Sequence, residues 1–364
     1  MTHSPRKILM TTDAVGGVWT YALELCKAMP SVDFLLANMG PRPSLDKRCE
    51  VAELRNVEMI EGPYQLEWAD EPWSDLERAG KWLMELESRF KPDLVHLNGY
   101  IHASLPWLAP VLIVAHSCVI SWWKAVKGRS APPVWDRYAE AVAKGLQASD
   151  QVVVPSQYMG RTLVENYGIE EPLVISNGCA LNGFGSPQSK EPFILCAARL
   201  WDEAKNVVTL ANAAADLPWP VVLAGDPDGE QVLFRNVCIV GHCNRASMTR
   251  WLRRASIYAH PARYEPFGLA PLEAAHAGCA LVLADIPSMR EIWGDSAEFV
   301  DPDDVEGWRA ILQLLISKSG IRKGLAEKAS ARAKRYTPQI MGAAYMELYK
   351  SIIESPEPHL SNTL

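Results

Sequence analysis

Two glutamates, Glu265 and Glu273, stand eight residues apart in the segment EPFGLAPLE. Paired carboxylates are typical of glycoside hydrolysis, where one is an acid and the other a nucleophile. Pro271 suits the first turn of a helix and Gly278 its end, so the sequence between them predicts a helix. Glu265 then precedes the helix, and Glu273 lies in its first turn, where the helix dipole favours the ionised carboxylate. The structural alternatives are that Glu265 is a solvent-exposed loop residue and that Glu273 is only a favourable charge in the first turn.

The N-terminus of this predicted helix is a candidate anion site, because its free backbone N–H groups point outward. It comprises Phe267, Gly268 and Leu269. Two cations could act on the same ligand: Arg199 ends the strand-like PFILCAAR, and Lys205 follows six residues on. A planar guanidinium and a mobile ammonium together suit a diphosphate. Ordinary surface ion pairs are the alternative for either residue alone.

Small and titratable residues also follow strands in the first half of the chain. Gly16 and Gly17 come after KILMTT, where the chain must turn into a helix. Such a pair either lets the backbone approach an anion closely or forms only a tight turn. It lacks the G-x-G-x-x-G spacing of dinucleotide-binding proteins. His116 follows PVLIVA. It is either a hydrogen-bonded structural residue or, because it lies at a strand end, a functional one.

An aromatic and basic patch follows His116 and contains Trp122, Trp123 and Lys124. The structural interpretation is a solvated helix face. The functional interpretation is a contact with an acceptor or with a membrane surface, which would make the protein weakly peripheral.

Two D-x-D tripeptides could belong to a metal-dependent transferase of another fold. They are Asp226-Pro-Asp228 and Asp301-Pro-Asp303. Each follows a predicted strand in a proline-containing turn, where aspartates are common for conformational reasons. We therefore expect no metal site.

Composition limits the class of protein. The chain has 364 residues, 48% hydrophobic and 22% charged, which predicts two globular domains. A net charge of -7 argues against nucleic-acid binding. The eight cysteines include no C-x-x-C pair, which is consistent with a reduced, cytoplasmic protein. The apolar run 104–123 contains two prolines and a histidine, so we do not expect it to span a membrane.

Short apolar strands alternate with helical segments along both halves, a pattern typical of parallel sheets covered on both faces. The segment 176–193 is rich in Gly, Ser and Pro and predicts an interdomain linker. We predict two doubly wound domains, 1–185 and 186–337, with a cleft between them. A helix at 338–354 follows, and 355–364 is expected to be a flexible tail. Ligands bind such sheets outside the carboxyl ends of the strands.

Taken together, these motifs resemble the retaining GT-B glycosyltransferases of family 4, and the resemblance extends over nearly the whole chain. The most specific part is the E-x7-E motif from Glu265 to Glu273 with AAHAGCALVLADIP and Glu291 after it. The resemblance implies two Rossmann-like domains with an interdomain cleft. It implies a hexosyltransferase that uses a UDP-, GDP- or ADP-sugar, and an acceptor that is a sugar, a glycolipid or a small molecule.

The resemblance also implies roles for the residues above. Arg199 and Lys205 would hold the donor diphosphate, and Gly16, Gly17 and the N-terminus at 267–269 would approach its phosphates or sugar hydroxyls. Glu273 would bond the ribose and Glu265 the transferred sugar, with His116 at the reaction centre. The nucleobase pocket would comprise Gly241, His242, Cys243 and Asn244. The donor domain would be the second one, and the helix at 338–354 would cross back to the first.

Further expectations follow from the resemblance. Both glutamates would touch the donor rather than act as the acid and nucleophile of a hydrolase. The anomeric configuration would be retained through front-face attack. No cofactor would be required. The protein would be cytoplasmic or peripheral at the inner membrane face. Ile286-Pro287-Ser288 replaces a glycine pair that is common in the family, and Cys179-Ala180-Leu181 replaces an expected aspartate. A nucleotide-sugar epimerase of the same fold and a non-catalytic sugar-nucleotide binder are the alternative functions.

Overall fold

The computed structural model describes residues 5–180, 189–226 and 234–354. The predicted boundary between 185 and 186, the tail 355–364 and Asp228 of the first D-x-D tripeptide lie outside the described residues.

The first half forms a seven-stranded parallel sheet of order β3-β2-β1-β4-β5-β6-β7. Its strands are β1 Lys7–Asp13, β2 Asp33–Met39, β3 Val57–Gly62, β4 Leu94–Leu97, β5 Val111–Val114, β6 Gln151–Val154 and β7 Leu173–Val174. Its helices are α1 Gly17–Ala28, α2 Leu45–Ala52, α3 Trp73–Phe90, α4 Val119–Lys127, α5 Asp136–Ala148 and α6 Gln157–Tyr167, with short 3-10 turns at Ile101–Ser104 and Pro133–Trp135.

The second half forms a six-stranded parallel sheet of order β10-β9-β8-β11-β12-β13. Its strands are β8 Glu191–Ala197, β9 Val221–Ala224, β10 Val237–Ile239, β11 Ala255–His260, β12 Ala280–Ala284 and β13 Glu298–Val300. The helices of this half are α7 Val207–Ala214, α8 Arg245–Arg254, α9 Leu269–His276, α10 Pro287–Trp293, α11 Val305–Ser317, α12 Ser319–Ala333 and α13 Pro338–Glu354, with 3-10 turns at Glu203–Lys205 and Gly294–Ser296.

Each sheet is apolar on both faces because helices cover both. In β1, Ile8 and Met10 belong to one core cluster and Leu9, between them, belongs to the other. In β8, Ile194 and Leu195 are divided between two clusters in the same way. This alternation follows from the two-residue period of a strand. The prediction of two doubly wound parallel sheets is confirmed.

The last helix packs on the first sheet, although it follows the second in sequence. Tyr345 and Tyr349 of α13 are fully buried against Tyr21 of α1 in the core of the first domain. The Tyr349 hydroxyl lies 2.6 Å from Nδ1 of His96. The buried aromatic face of α13 therefore joins the two ends of the chain.

One helix differs from its predicted register. Helix α9 begins at Leu269, so Glu273 lies in its second turn, and no acidic residue occupies the first turn. The predicted first-turn position of Glu273 is wrong, because the helix starts two residues before the proline that was taken to mark its first turn.

The apolar run 104–123 forms part of a 3-10 turn, strand β5 and the start of α4. Across the described ranges, no helix combines the length and hydropathy needed to cross a bilayer.

Candidate active site

Both sheets reverse their strand order at one point, and the candidate residues lie at these points. In the first sheet the reversal is between β1 and β4, whose following residues include Gly16 and Asn98. In the second it is between β8 and β11, whose following residues include Arg199 and Glu265. Crevices outside such reversal points are where doubly wound sheets bind ligands.

The glycine pair faces the second domain across the cleft. A Cβ atom on Gly16 would lie 3.1 Å from Nη1 of Arg199, and one on Gly17 would lie 3.5 Å from Cδ1 of Leu269. The Arg199 guanidinium also donates to Oδ2 of Asp202 at 2.6 Å. A side chain at position 16 would therefore crowd the guanidinium, so the absence of Cβ permits this close approach.

His116 is held in place by Asn98. The Asn98 amide nitrogen donates to the Thr11 carbonyl at 2.7 Å, so its oxygen faces Nε2 of His116 at 2.8 Å. Nε2 must then carry the proton and donate it. Burial lowers the pKa of His116 to about 3, so the imidazole is neutral at physiological pH.

Glu265 lies in a cationic environment that the sequence did not reveal. Its Oε2 accepts from Nζ of Lys205 at 2.8 Å and lies 3.2 Å from Nε2 of His260. Burial alone would raise the pKa of Glu265, but Lys205 and His260 hold it well below its usual range. Glu265 is therefore ionised, and Lys205 contacts it directly.

The loop before α9 is fixed by hydrogen bonds from both domains. Ser156 Oγ donates to the Pro266 carbonyl at 2.7 Å, and Ser288 Oγ donates to the Glu265 carbonyl at 2.6 Å. Phe267 is buried, and Gly268, with φ 89°, precedes the first helical residue. These contacts fix the loop from which α9 begins, whereas residues 267–269 line neither of the two cavities described below.

Glu273 faces a buried charge cluster. Burial raises its pKa to about 7; Arg245 opposes this shift and Glu24 adds to it. The expectation that the helix dipole keeps Glu273 ionised is wrong, because burial outweighs a dipole whose effect fades beyond the first turn. This carboxyl therefore titrates near neutral pH.

Two cavities adjoin along the cleft. One, of about 410 Å³, contains His116, Asp13 and Arg199 in its lining. The other, of about 230 Å³, contains Gly16 and Glu273. Because Gly16 and Arg199 are in contact, the two cavities are neighbours with this contact between them.

Three of the four predicted nucleobase residues line the smaller cavity: His242, Cys243 and Asn244. Asn244 also caps α8 by accepting from the Ser247 N–H at 3.0 Å, and its amide donates to Asp46 at 3.0 Å. Gly241 is not in the lining; its carbonyl accepts from the Gly225 N–H at 2.9 Å.

The aromatic patch contributes to the larger cavity. Trp122 and Trp123 line it with ring centroids 5.7 Å apart, whereas Lys124 pairs with Glu165 on the surface at 2.9 Å. Of the two functions predicted for the patch, this location favours the acceptor contact.

The second D-x-D tripeptide has the hydrogen bonds of a turn. The Asp303 N–H donates to Oδ1 of Asp301 at 2.9 Å, and Asp303 Oδ1 accepts from Nε of Arg263 at 2.8 Å. Within the described part of the chain, no group of three or more His, Cys, Asp or Glu side chains could hold a metal ion.

Two family models together match most of the chain. The model described as Glycosyltransferase Family 4 matches residues 15–182, and Glycosyl transferases group 1 matches residues 184–335. This chain belongs to the family 4 glycosyltransferases. It is a transferase enzyme that uses a nucleotide-sugar donor.

Curated relatives of this glycosyltransferase act on several acceptors. D-inositol 3-phosphate glycosyltransferase of Xylanimonas cellulosilytica is 24% identical over 299 residues, 71% of each chain. Phosphatidyl-myo-inositol mannosyltransferase of Mycolicibacterium smegmatis is 30% identical over 139 residues. That match spans 36% of each chain, so it covers little more than a third of the relative.

Solved structures establish the GT-B fold of the glycosyltransferase. Sucrose-phosphate synthase of Thermosynechococcus elongatus superimposes with a TM-score of 0.78 at 15% identity, over 96% of this chain and 100% of that one. HepE of Anabaena, solved with UDP and glucose, superimposes with a TM-score of 0.75 at 17% identity, over 96% of this chain and 100% of that one.

Several residues of the cleft were not predicted from the sequence as candidates for the site. Asp13, Asn98 and His260 stand at or just after strand ends, so the rule that selected His116 could have selected them too. Glu24 and Arg245 lie on helices of different domains, and no local pattern in the sequence indicates that they meet.

Proposed function

We propose that this glycosyltransferase moves a hexosyl group from a nucleoside-diphosphate sugar to an acceptor hydroxyl, with retention of the anomeric configuration and without a metal ion. The observation that carries the proposal is the pair of neighbouring cavities with the contact of Gly16 and Arg199 between them. The donor occupies the smaller cavity and the acceptor the larger. The diphosphate lies at their junction.

The charges around the junction suit departure of a nucleoside diphosphate. Breaking the anomeric C–O bond leaves positive charge on the sugar and negative charge on the phosphate. Arg199, Lys205 and the N–H groups at the start of α9 stabilise the developing phosphate charge, which is largest in the transition state. The ionised Glu265 holds a hydroxyl of the transferred sugar beside Lys205.

His116 acts here as a neutral hydrogen-bonding group rather than as a base. Its Nε2–H is committed to Asn98, and its low pKa prevents it from holding a second proton at neutral pH. The acceptor proton passes to the departing phosphate oxygen instead. This assignment agrees with front-face attack and retention.

The donor nucleobase and sugar are open to a direct test. Calorimetric titration with UDP-, GDP- and ADP-sugars in the presence of EDTA should show binding by one class, and NMR of the product should show the donor's anomeric configuration. Inverted product, or activity that returns only on adding manganese, would contradict the proposal. Epimerised free donor would indicate the nucleotide-sugar epimerase, and binding without turnover with any acceptor would indicate the non-catalytic binder.

A further inference from the structure

The larger cavity has a wall built from aromatic rings. Trp122 and Trp123 of α4 stand edge to face, and Trp135 stands edge to face with Tyr138 at a centroid distance of 5.7 Å. All four belong to the first domain. Aromatic faces of this kind contribute contact area with few polar atoms.

Three polar groups elsewhere in the lining of the larger cavity are engaged within the protein. The Tyr100 hydroxyl donates to the Ser117 carbonyl at 2.7 Å, and the Tyr264 hydroxyl accepts from the Cys118 N–H at 3.2 Å. Nε2 of His102 lies 3.0 Å from the Leu76 carbonyl. The wall itself offers only three indole N–H groups and the Tyr138 hydroxyl, which lies 3.5 Å from the Val119 backbone nitrogen. Most hydroxyls of a polyol on this wall would therefore lack partners, which is costly in a desolvated site.

The carboxyl group of Glu67 belongs to the same lining and keeps free hydrogen-bonding capacity. Glu67 Oε2 accepts from the N–H groups of Tyr100 and Ile101 at 3.0 and 3.2 Å, while its Oε1 accepts nothing from the described residues. Burial raises the pKa of Glu67 to about 7. The Tyr100 segment follows Asn98, which holds His116, so Glu67 and His116 are fixed by the same loop.

The charge of the lining opposes an anionic ligand. Among described residues, it carries three carboxyl groups, from Asp13, Glu67 and Asp202, and one guanidinium, from Arg199. That guanidinium is paired with Asp202. The proposed diphosphate site already uses Arg199, so a phosphate group on the acceptor would find no further Arg or Lys side chain in this lining.

We propose that the acceptor is an uncharged molecule with a flat apolar or aromatic body that carries the hydroxyl to be glycosylated. The body lies against Trp122, Trp123 and Trp135. The hydroxyl lies near Glu67 and His116, which the same loop holds in place. An acceptor of this shape needs few polar partners from the aromatic wall.

This inference rests on the proposed glycosyl transfer. The acceptor oxygen bonds to the anomeric carbon while the bond from that carbon to the phosphate oxygen breaks. The nucleoside diphosphate leaves with the electron pair and takes the hydroxyl proton. The product is an uncharged glycoside of the apolar alcohol.

Binding without donor tests the inference. Calorimetry should show that 2-naphthol binds at least about tenfold more tightly than glucose or myo-inositol 1-phosphate, because ring stacking and area burial act only on the aromatic alcohol. Trp122→Leu and Trp135→Leu should each weaken 2-naphthol binding about tenfold. Trp219→Leu should not, since Trp219 lies against Arg322 and lines neither cavity.

The same preparations separate this inference from the proposed function. Each variant is checked for native circular dichroism and for binding of the nucleotide sugar found to bind the wild-type enzyme. Tighter binding of glucose or the inositol phosphate than of 2-naphthol, or tryptophan variants that bind 2-naphthol normally, overturns the acceptor class. If wild-type enzyme binds and slowly hydrolyses the donor but ignores 2-naphthol, only the acceptor inference fails. If it binds no nucleotide sugar at all, the proposed function fails as well.

Discussion

At the scale of residues, the two cations proposed for the diphosphate already have partners. Lys205 bonds Glu265 with both side chains largely buried, and Arg199 bonds Asp202. From the sequence, an ion pair with a carboxylate was the alternative to diphosphate binding for each cation. In the cleft the two roles are compatible, because a paired cation keeps its position and its remaining N–H groups for an incoming anion.

The double variant Arg199→Ala/Lys205→Ala should weaken binding of the nucleoside diphosphate corresponding to the preferred donor by about tenfold to a hundredfold, the range for charge-assisted hydrogen bonds. Calorimetry with that nucleotide measures the change. Lys124→Ala is the matched control, since Lys124 pairs only with Glu165 on the surface. Unchanged affinity in a folded double variant would remove the phosphate assignment.

The raised pKa of Glu273 predicts that donor binding depends on pH. Its pKa is raised to about 7, so the proton is lost as the pH rises through neutrality. If the ionised carboxylate bonds the ribose hydroxyls, affinity rises by up to about tenfold per pH unit below the pKa and levels off above it.

Calorimetric titration with a nucleotide sugar between pH 5.5 and pH 8.5 measures this dependence, because the diphosphate diester does not titrate in that range. Glu273→Gln should give a flat profile. Affinity that falls with rising pH in the wild-type enzyme would show that the protonated carboxyl is the binding form.

At the scale of elements, the start of α9 depends on one backbone conformation. Gly268 has φ 89°, and a Cβ there would lie 3.2 Å from both Met289 Cε and Pro271 Cγ. Gly278, just beyond the other end of the helix, has φ 79°, and its Cβ would meet only Lys190 Cε at 3.7 Å. Both positions favour glycine, and Gly268 is the one that directly precedes α9 and packs beside Glu265.

Gly268→Ala and Gly278→Ala should each lower the free energy of unfolding by about 1 kcal/mol or more, the cost of left-handed backbone for an L residue. Gly268→Ala alone should also weaken nucleotide-sugar binding, because it displaces the N–H groups at the start of α9. Chemical denaturation and calorimetry give the two quantities. Equal donor affinity in both variants would argue against a phosphate contact at this helix.

At the scale of the whole molecule, a buried ion pair joins the domains. Glu24 of α1 is fully buried and accepts from Nη2 of Arg245 of α8 at 2.8 Å. It also accepts from Lys27 and from the Ala180 N–H. Arg245 lies next to Glu273 on the lining of the smaller cavity, so this contact couples domain position to the donor site.

A double-mutant cycle with Glu24→Gln and Arg245→Gln should give a coupling energy of about 1 to 3 kcal/mol in the free energy of unfolding, as expected for contacting charges. The matched control is the exposed pair Lys81 and Glu77 within α3, whose coupling should be much smaller because solvent screens it. A negligible coupling for the first pair would show that the domains are positioned by other contacts.

The sequence predicted much of this molecule because the relevant patterns are local. The apolar runs identified the strands, and residues after them identified Gly16, His116, Arg199 and the loop before α9. The sequence placed the N-terminus of α9 at 267–269 and Pro271 in its first turn, and the helix begins at Leu269, but Glu273 lies just beyond that turn. Burial, which no single residue type encodes, raises the pKa of Glu273 against the expected effect of the helix dipole.

By itself, therefore, the sequence determined two doubly wound sheets, a cleft and its candidate residues, since strand period, turn composition and strand-end position are properties of short segments. Only the tertiary structure decided which of these residues meet. The pairing of Lys205 with Glu265, the approach of Gly16 to Arg199 and the aromatic wall of the larger cavity all join segments far apart in the chain. Their energies come from desolvation and close packing between domains, and these exist only when the whole chain is folded.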